Sequence, residues 1–401
     1  MRFKQYSIVF VLLAILGCEE QSAKQEKDRT GTYINQVKDE FAPDKRVALF
    51  SVEAEKNKED YILRGETNMP AALNALKQKL DSANIEYKDS VSVLPAKNLE
   101  EVIYGLIDIS VANLRGEGKH SAELVTQTTL GTPVKIWKRT EEWYYIQTPD
   151  GYLSWVDHGG ITTMKKNQFK AWKASEKVIY TQPFGQSYNQ PSLDADPVTD
   201  LVTGAILELK AENANFYEVG YPDGKTAFIA KDEAKIYSEW LANLEISEES
   251  LVKTSKKLMG LPYLWGGTSS KGVDCSGFTK TIYFMNGMVI PRDASQQMKA
   301  GKTVDSTKNF ENLIPGDLLF FGSPATDTTS ERIVHVGMWL GHNEFIHSSG
   351  DVHISSMEEK AENFDAFNKN RYIRTKRYLN ENGDELKYLK RQKIYSDSVF
   401  N

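Results

Sequence analysis

Three side chains in the last third of the chain could act together in nucleophilic chemistry: Cys275, His335 and His347. Cys275 follows Asp274 and precedes Ser276 to Asn286, where Phe278, Ile282, Tyr283 and Met285 recur at helical spacing before Gly287. The pattern predicts a buried helix with Cys275 at its N-terminus. Unpaired backbone N–H groups and the positive end of the macrodipole there favour thiolate and could hold an oxyanion. A thiolate needs a base. Val334 to Leu340 (VHVGMWL) and Glu344 to His347 (EFIH) read as two strands joined by Gly341, His342 and Asn343. Antiparallel pairing about residue 341 would set His335 opposite His347, one ring facing the thiol and the other orienting it. As zinc ligands the same three residues would be 60 and 12 positions apart, which matches no compact zinc pattern, so neither metal nor cofactor is expected. The plainer alternatives are a small buried hydrophobe for Cys275 and satisfied core positions for the histidines.

Several elements must position this set. The chain has 401 residues, with 49 Lys+Arg against 55 Asp+Glu, a net charge of −6 that argues against nucleic-acid binding by phosphate neutralisation. A 40% hydrophobic and 11% aromatic composition supports several packed cores. Apolar runs at Val47 to Ser51 and Tyr61 to Gly65, a helix from Pro70 to Ser82 and a short run from Ser90 to Pro95 predict a small α+β module over 35–103. An ungapped internal repeat follows at an offset of 73 residues: Gly131 matches Gly204, Trp143 matches Phe216, Pro149-Asp150-Gly151 matches Pro222-Asp223-Gly224, and Trp155 matches Phe228. Short strands around an Asp-Gly turn predict two small β-barrels, over 104–165 and 166–240. Glu248 to Met259 then reads as a helix leading into the segment that carries the chemistry, 241–379, followed by a charged tail, 380–401, without evident role.

The N-terminus reads as a targeting segment. Arg2 and Lys4 precede an apolar run, Tyr6 to Leu16, too short to span a bilayer comfortably. The run ends Ile15-Leu16-Gly17-Cys18, which resembles a bacterial lipobox and implies a thioether-linked lipid on Cys18, with 19–34 as a flexible polar tether. The expectation is an exported lipoprotein, anchored in a membrane by its lipid and facing the periplasm or cell surface. Lipidation of Cys18 would leave Cys275 without a disulfide partner.

Six motifs in order, YLWGG (Tyr263 to Gly267), DCSGF (Asp274 to Phe278), IPRDASQQ (Ile290 to Gln297), PGDLLFF (Pro315 to Phe321), HVGMWLG (His335 to Gly341) and FIHSSG (Phe345 to Gly350), make the segment from about 250 to 379 resemble the NlpC-type family of papain-like cysteine peptidases, which cut peptidoglycan stem peptides. The barrels resemble bacterial SH3-like domains. The resemblance implies a multidomain α+β fold: the small N-terminal module, two SH3-like barrels, and a papain-like catalytic domain with the nucleophile helix packed on a central antiparallel sheet. It implies Cys275 as nucleophile, His335 as base and His347 as third polar residue.

The order of domains resembles the γ-D-glutamyl-L-diamino acid endopeptidases, the dipeptidyl-peptidase VI type. In these the first barrel walls off one end of the cleft and selects stem peptides with a free N-terminal L-Ala, whose amine is held by acidic and tyrosyl groups. By that resemblance Tyr263, Asp274 and Ser276 belong to the substrate site, Glu123 in SAELVTQ is the barrel's acidic group, and Tyr152 in DGYLSW is its tyrosine. A buried ammonium needs paired anions, which an N-blocked substrate would leave unmet. Arg292 and Ser295 could contact a substrate carboxylate or stabilise a turn. The partners implied are peptidoglycan-derived peptides, acted on by a monomer. Three other readings stand beside this one: an endopeptidase for stems still attached to glycan, with the barrels as wall-binding modules; a non-catalytic wall-binding lipoprotein, which the intact Cys275, His335 and His347 set disfavours; and an acyltransferase or amidase, against which Tyr263, Asp274 and Glu123 speak.

Overall fold

The computed structural model describes residues 29–57 and 60–391; the targeting segment, Cys18 and 19–28 of the expected tether lie outside the described residues, as do 392–401 of the tail. The chain divides into two compact units between Asn98 and Leu99. In the first, residues 29–41 form helix α1, a correction to the tether expected through residue 34. Its composition is polar, but Ile34, Val37 and Phe41 fall at helical spacing, and Ile34 and Val37 are buried in the unit's core. Strands β1 (Phe50–Asn57) and β2 (Asp60–Thr67) pair antiparallel, helix α2 (Pro70–Ser82) crosses over, and β3 (Tyr87–Val93) returns parallel to β2. Pro70 starts α2 where no N–H is needed, and Leu73, Leu76 and Leu80 bury one face against the sheet.

The second unit begins with two seven-stranded barrels. The first contains β4 (Tyr104–Ile107), β5 (Val111–Arg115), β6 (Leu124–Thr129), β7 (Pro133–Arg139), β8 (Trp143–Gln147), β9 (Leu153–Asp157) and β10 (Ile161–Met164), in the order β10-β4-β7-β8-β9-β5-β6. Helix α3 (Lys166–Ala174) leads to the second: β11 (Lys177–Tyr180), β12 (Phe184–Tyr188), β13 (Pro197–Val202), β14 (Ile206–Glu212), β15 (Phe216–Gly220), β16 (Thr226–Ala230) and β17 (Ala234–Ile236). Its order, β17-β11-β14-β15-β16-β12-β13, is that of the first barrel strand for strand, and each strand begins 73 residues after its counterpart. Gly131 and Gly204 occupy the same turn at φ +75° and +86°, a region that favours glycine. Each makes a different close contact. A Cβ at Gly131 would meet the Ile206 carbonyl oxygen of the second barrel at 1.6 Å, and one at Gly204 would meet Phe284 at 3.1 Å.

Helices α4 (Tyr237–Asn243) and α5 (Glu248–Lys256) connect to the C-terminal domain. A short hairpin, β18 (Thr268–Ser269) and β19 (Gly272–Val273), precedes α6 (Cys275–Met285), which is followed by β20 (Met288–Val289) and α7 (Ala294–Gln297). The central sheet is fully antiparallel, ordered β21-β26-β22-β23-β24-β25, from β21 (Lys302–Asp305), β22 (Leu318–Ser323), β23 (Arg332–Gly341), β24 (Glu344–Ser349), β25 (Asp351–Ser356) and, after α8 (Ala366–Asn370), β26 (Tyr372–Arg377). Phe278, Ile282 and Tyr283 of α6 share one core with Leu318, Phe320, Val336, Met338 and Ile346 of the sheet. Losing a fully buried ring such as Phe278 costs about 3–5 kcal/mol, so this packing sets where Cys275 stands.

The tail also differs from expectation. Residues 387–388 form β27 (Lys387–Tyr388) against β20, and Leu386 and Leu389 are buried. Lys387 Nζ donates to the Pro149 carbonyl at 3.0 Å, and Lys390 Nζ to those of Ala242 and Leu244 at 3.0 and 2.6 Å. The charges that made the segment look solvated flank a few apolar anchors, and the described part is a strap joining first barrel, linker helix and C-terminal domain.

Candidate active site

Asp274 caps α6, its Oδ1 accepting the Gly277 N–H at 2.7 Å, so Cys275 is the first helical residue. The thiol is buried and accepts backbone N–H groups of Val336 and Ser276, which sets it against the strand carrying His335. Burial and then the Asp274 carboxylate push the thiol up to about 12, while those N–H groups and Arg292 act the other way. The helix terminus was expected from the sequence to favour thiolate, but desolvation and the capping carboxylate outweigh it and raise the thiol.

The two histidines are on one face, but not by the expected register. Met338 pairs with Ile346 and Trp339 with Phe345, two residues out from pairing about residue 341. The turn is His342-Asn343 alone, at φ +53° and +61°, with a bulge between Trp339 and Gly341. A slip of two keeps every side chain on its face. It brings His347 beside Gly337, where a Cβ would lie 3.2 Å from that of His347, and this gap lets the rings meet diagonally, His335 Nε2 to His347 Nδ1 at 2.8 Å. With those nitrogens facing each other, they are not aimed at a shared metal ion.

Burial holds His335 well below its usual value, helped by the charges of His347, Arg371 and His353, and lowers His347 to about 4. Both rings are therefore neutral near pH 7. For His335 to take a proton from sulfur at Nδ1, its Nε2 must carry hydrogen and donate to His347 Nδ1. His347 Nε2–H then points at Ser355 Oγ, 3.1 Å away, with Asp365 Oδ2 at 3.9 Å. The resting arrangement is a thiol against the strand that carries a neutral base, an arrangement that suits proton transfer as an electrophile is attacked. Ser355 and Asp365 were not found by sequence reasoning, and neither was His353, the register partner of His347. Register through β25 is a signal that could have located His353 and Ser355; Asp365, the cap of α8, lies outside that strand.

Arg292 is buried and forms a bidentate pair with Asp274, Nη1 to Oδ1 at 3.1 Å and Nη2 to Oδ2 at 2.6 Å; it also donates to Ser276 Oγ at 2.9 Å and, across the domain boundary, to Thr126 Oγ1 at 2.9 Å. Asp274 additionally accepts from Gly266 N at 3.0 Å and Ser276 Oγ at 3.2 Å. These contacts fill the carboxylate and take four of the five N–H groups of the buried guanidinium, so Arg292 is engaged with Asp274 and not with a substrate carboxylate, and Asp274 holds the loop and helix together. Ser295 lies half-buried on the short helix α7, one residue beyond Ala294.

The first barrel forms part of the same site. Gln127 accepts from Thr268 N at 3.1 Å and Ser269 Oγ at 3.0 Å, fixing β6 against the hairpin that leads to Cys275. A Cβ on Gly266, at φ +79°, would collide with the Leu124 carbonyl oxygen at 2.3 Å, which explains a glycine there. Glu123 Oε1 accepts the indole N–H of Trp265 at 2.8 Å, and the Tyr152 hydroxyl donates to Asp293 Oδ2 at 3.1 Å. Glu123 and Trp265 are exposed, so this edge is open to solutes. Tyr263 is half-buried, its phenol pushed up to about 12 by burial and by Cys275 and Asp274.

A model of the NlpC/P60 family matches residues 260–369, and one described as a bacterial dipeptidyl-peptidase Sh3 domain matches 114–161. The chain is 34% identical over 235 residues to a gamma-D-glutamyl-L-lysine dipeptidyl-peptidase of Bacillus cereus, covering 56% of this chain and 67% of that one. It is 31% identical to the protein of the same name from Bacillus subtilis, covering 56% and 71%. The crystal structure of an NlpC/P60 family protein from Bacillus cereus superposes with a TM-score of 0.59 at 27% identity, covering 69% of this chain and 99% of that one.

Proposed function

The chain belongs to the NlpC/P60 family of cysteine peptidases, and we propose that it hydrolyses the γ-D-glutamyl-L-diamino acid bond of peptidoglycan stem peptides whose N-terminal L-Ala is free. The observation that carries this reading is the bond of two first-barrel side chains, Glu123 and Tyr152, to Trp265 and Asp293 beside the nucleophile loop. A barrel placed in this way closes one end of the substrate path and offers the amine of a short peptide a carboxylate. Because Asp274 is taken up by Arg292, Glu123 is the anion for that amine, with Tyr152 and Tyr263 alongside it. Cys275 attacks the γ-carbonyl of D-Glu as His335 Nδ1 takes the thiol proton; His335 returns it to the departing amine, and water releases the acyl-enzyme. His347 and Ser355 keep His335 in the required tautomer. Anchoring through a lipid on Cys18, exposure outside the inner membrane, a monomeric state and a role in murein turnover belong to the same proposal.

The test gives the full chain L-Ala-γ-D-Glu-L-Lys and its N-acetylated twin. Cleavage of the free-amine peptide at least tenfold faster supports the reading, and equal rates would refute the amine-reading barrel. A preference for stems on glycan would favour the attached-stem alternative. Release of the protein from membranes by Cys18→Ala tests the anchor.

A further inference from the structure

A cation that forms no ion pair among the described residues stands beside the strands that carry the histidines. Arg371 lies between α8 and β26, its carbonyl accepting the Gly322 N–H at 2.8 Å. The next residue, Tyr372, pairs with Phe321, which on its other side pairs with His335. The guanidinium is held in place: Nε and Nη2 donate to Asn368 Oδ1 at 2.9 and 2.7 Å, and its carbon lies 4.1 Å from the ring centroid of Phe367. Asn368 is in turn fixed by Asp365, which accepts its backbone N–H at 2.9 Å and its side-chain amide, and which lies 3.9 Å from His347 Nε2. A run of contacts thus joins the histidine pair to Arg371.

Asn368 offers a neutral oxygen and the Asp365 carboxylate acts on the guanidinium from behind it, so the charge is oriented without a direct ion pair. Among the described residues Arg371 forms no ion pair and its Nη1 donates to no acceptor, which leaves the end-on edge of the guanidinium unused. Its charge acts on Cys275, His335 and His347. Phe367 beneath it is 69% exposed despite being aromatic.

We propose that Arg371 receives the α-carboxylate of the departing L-diamino acid, with Phe367 packing along that residue's aliphatic chain. The assignment rests on the bond named above as the one cut, and follows from its chemistry. The nitrogen that His335 must protonate and the α-carboxylate share one carbon atom, so the carboxylate receptor has to stand beside the general acid. Arg371 does, its charge acting on His335, whereas Arg292 is buried and paired with Asp274. Extension of the stem by a further residue would turn this carboxylate into a neutral amide, so peptides ending at the diamino acid should be preferred.

The experiment compares L-Ala-γ-D-Glu-L-Lys with its C-terminal carboxamide on the full chain, its Arg371→Gln variant and Arg371→Lys. A hydrogen-bonded charge pair contributes about 1.5–3 kcal/mol, about 10–100-fold. Expected are a preference of that size in kcat/KM for the free acid, an acid-to-carboxamide ratio that falls to about one in R371Q whatever common change the lost charge makes on both peptides, and partial recovery of that ratio in R371K. Equal cleavage of acid and carboxamide by the unaltered protein would overturn the proposal without any variant, as would an equal loss on both peptides in R371Q. Cleavage of neither peptide would instead refute the substrate reading, and this inference with it.

Discussion

The two barrels are copies in backbone and opposites in use. Position 150 of the first and position 223 of the second both hold the aspartate of a Pro-Asp-Gly turn. Asp150 is buried against the nucleophile helix, 3.1 Å from Lys280 Nζ; burial pushes its carboxyl up, but Lys280, Thr148 and Lys387 outweigh that and hold it below the usual range. Asp223 is exposed and pairs with its neighbour Lys225 at 2.6 Å. Glu123 and Tyr152 bond to Trp265 and Asp293 of the C-terminal domain, whereas the residues 73 positions on, Asp196 and Lys225, are both exposed and bond to neither. The second barrel instead braces the hairpin before the nucleophile, through Asp200 to Lys271 at 2.6 Å, and the end of the nucleophile helix, through Gly204 against Phe284. Strand order is thus inherited by both copies, while participation in the site depends on a few side chains and on which face meets the catalytic domain.

Substitutions at matched positions sharpen this contrast. Cys275→Ala sets the baseline: cleavage should fall by about 10⁴-fold or more, with the melting temperature retained. Any residual turnover near the unaltered rate would move the chemistry elsewhere. In thermal unfolding, Asp150→Ala should lose roughly 2–3 kcal/mol, below the 3–5 of a fully buried pair because the Lys280 side chain is 20% exposed; Asp223→Ala should stay within about 0.5. Equal losses would break the comparison. On the free-amine peptide, Glu123→Gln should lower kcat/KM about 10–100-fold and Tyr152→Phe by less, while Asp196→Asn and Lys225→Gln leave it unchanged. An effect of the second-barrel pair as large as that of the first would mean both barrels read substrate.

The smallest expected effect is on pH dependence, and it separates the catalytic domain from both barrels. Since His335 and His347 are lowered in the folded protein, they bind fewer protons than in the unfolded chain. Their contribution to stability is complete above about pH 6.5 and is lost as pH falls toward about 4 for His347. The acid limb of kcat/KM should therefore lie below pH 6.5, and His347→Asn should shift it. A basic limb, with activity lost as pH rises well below the thiol's value of about 12, would indicate a preformed thiolate–imidazolium pair instead.

Much was legible because it is written in short-range periodicity. The helix that opens at Cys275, the repeat at 73 and the strand positions of both histidines follow from neighbouring residues, and so does Asp274 as a cap. Hairpin register was two residues out, because the bulge at Trp339 to Gly341 leaves no local pattern. Helix α1 and the strap at 386–389 were hidden by charged composition, since their few apolar residues acquire meaning only against distant partners.

The sequence by itself determined which groups are available: one thiol in a helix-start motif, two histidines on one face of paired strands, and a duplicated barrel. Tertiary structure alone decided their state and company. Burial and the Asp274 charge keep the thiol protonated, Arg292 engages the carboxylate that an ammonium would otherwise meet, and Arg371 is left charged beside the histidines. Proton affinity and ion pairing depend on desolvation and on distances between residues far apart in the chain, and those are set only when the domains have closed on one another.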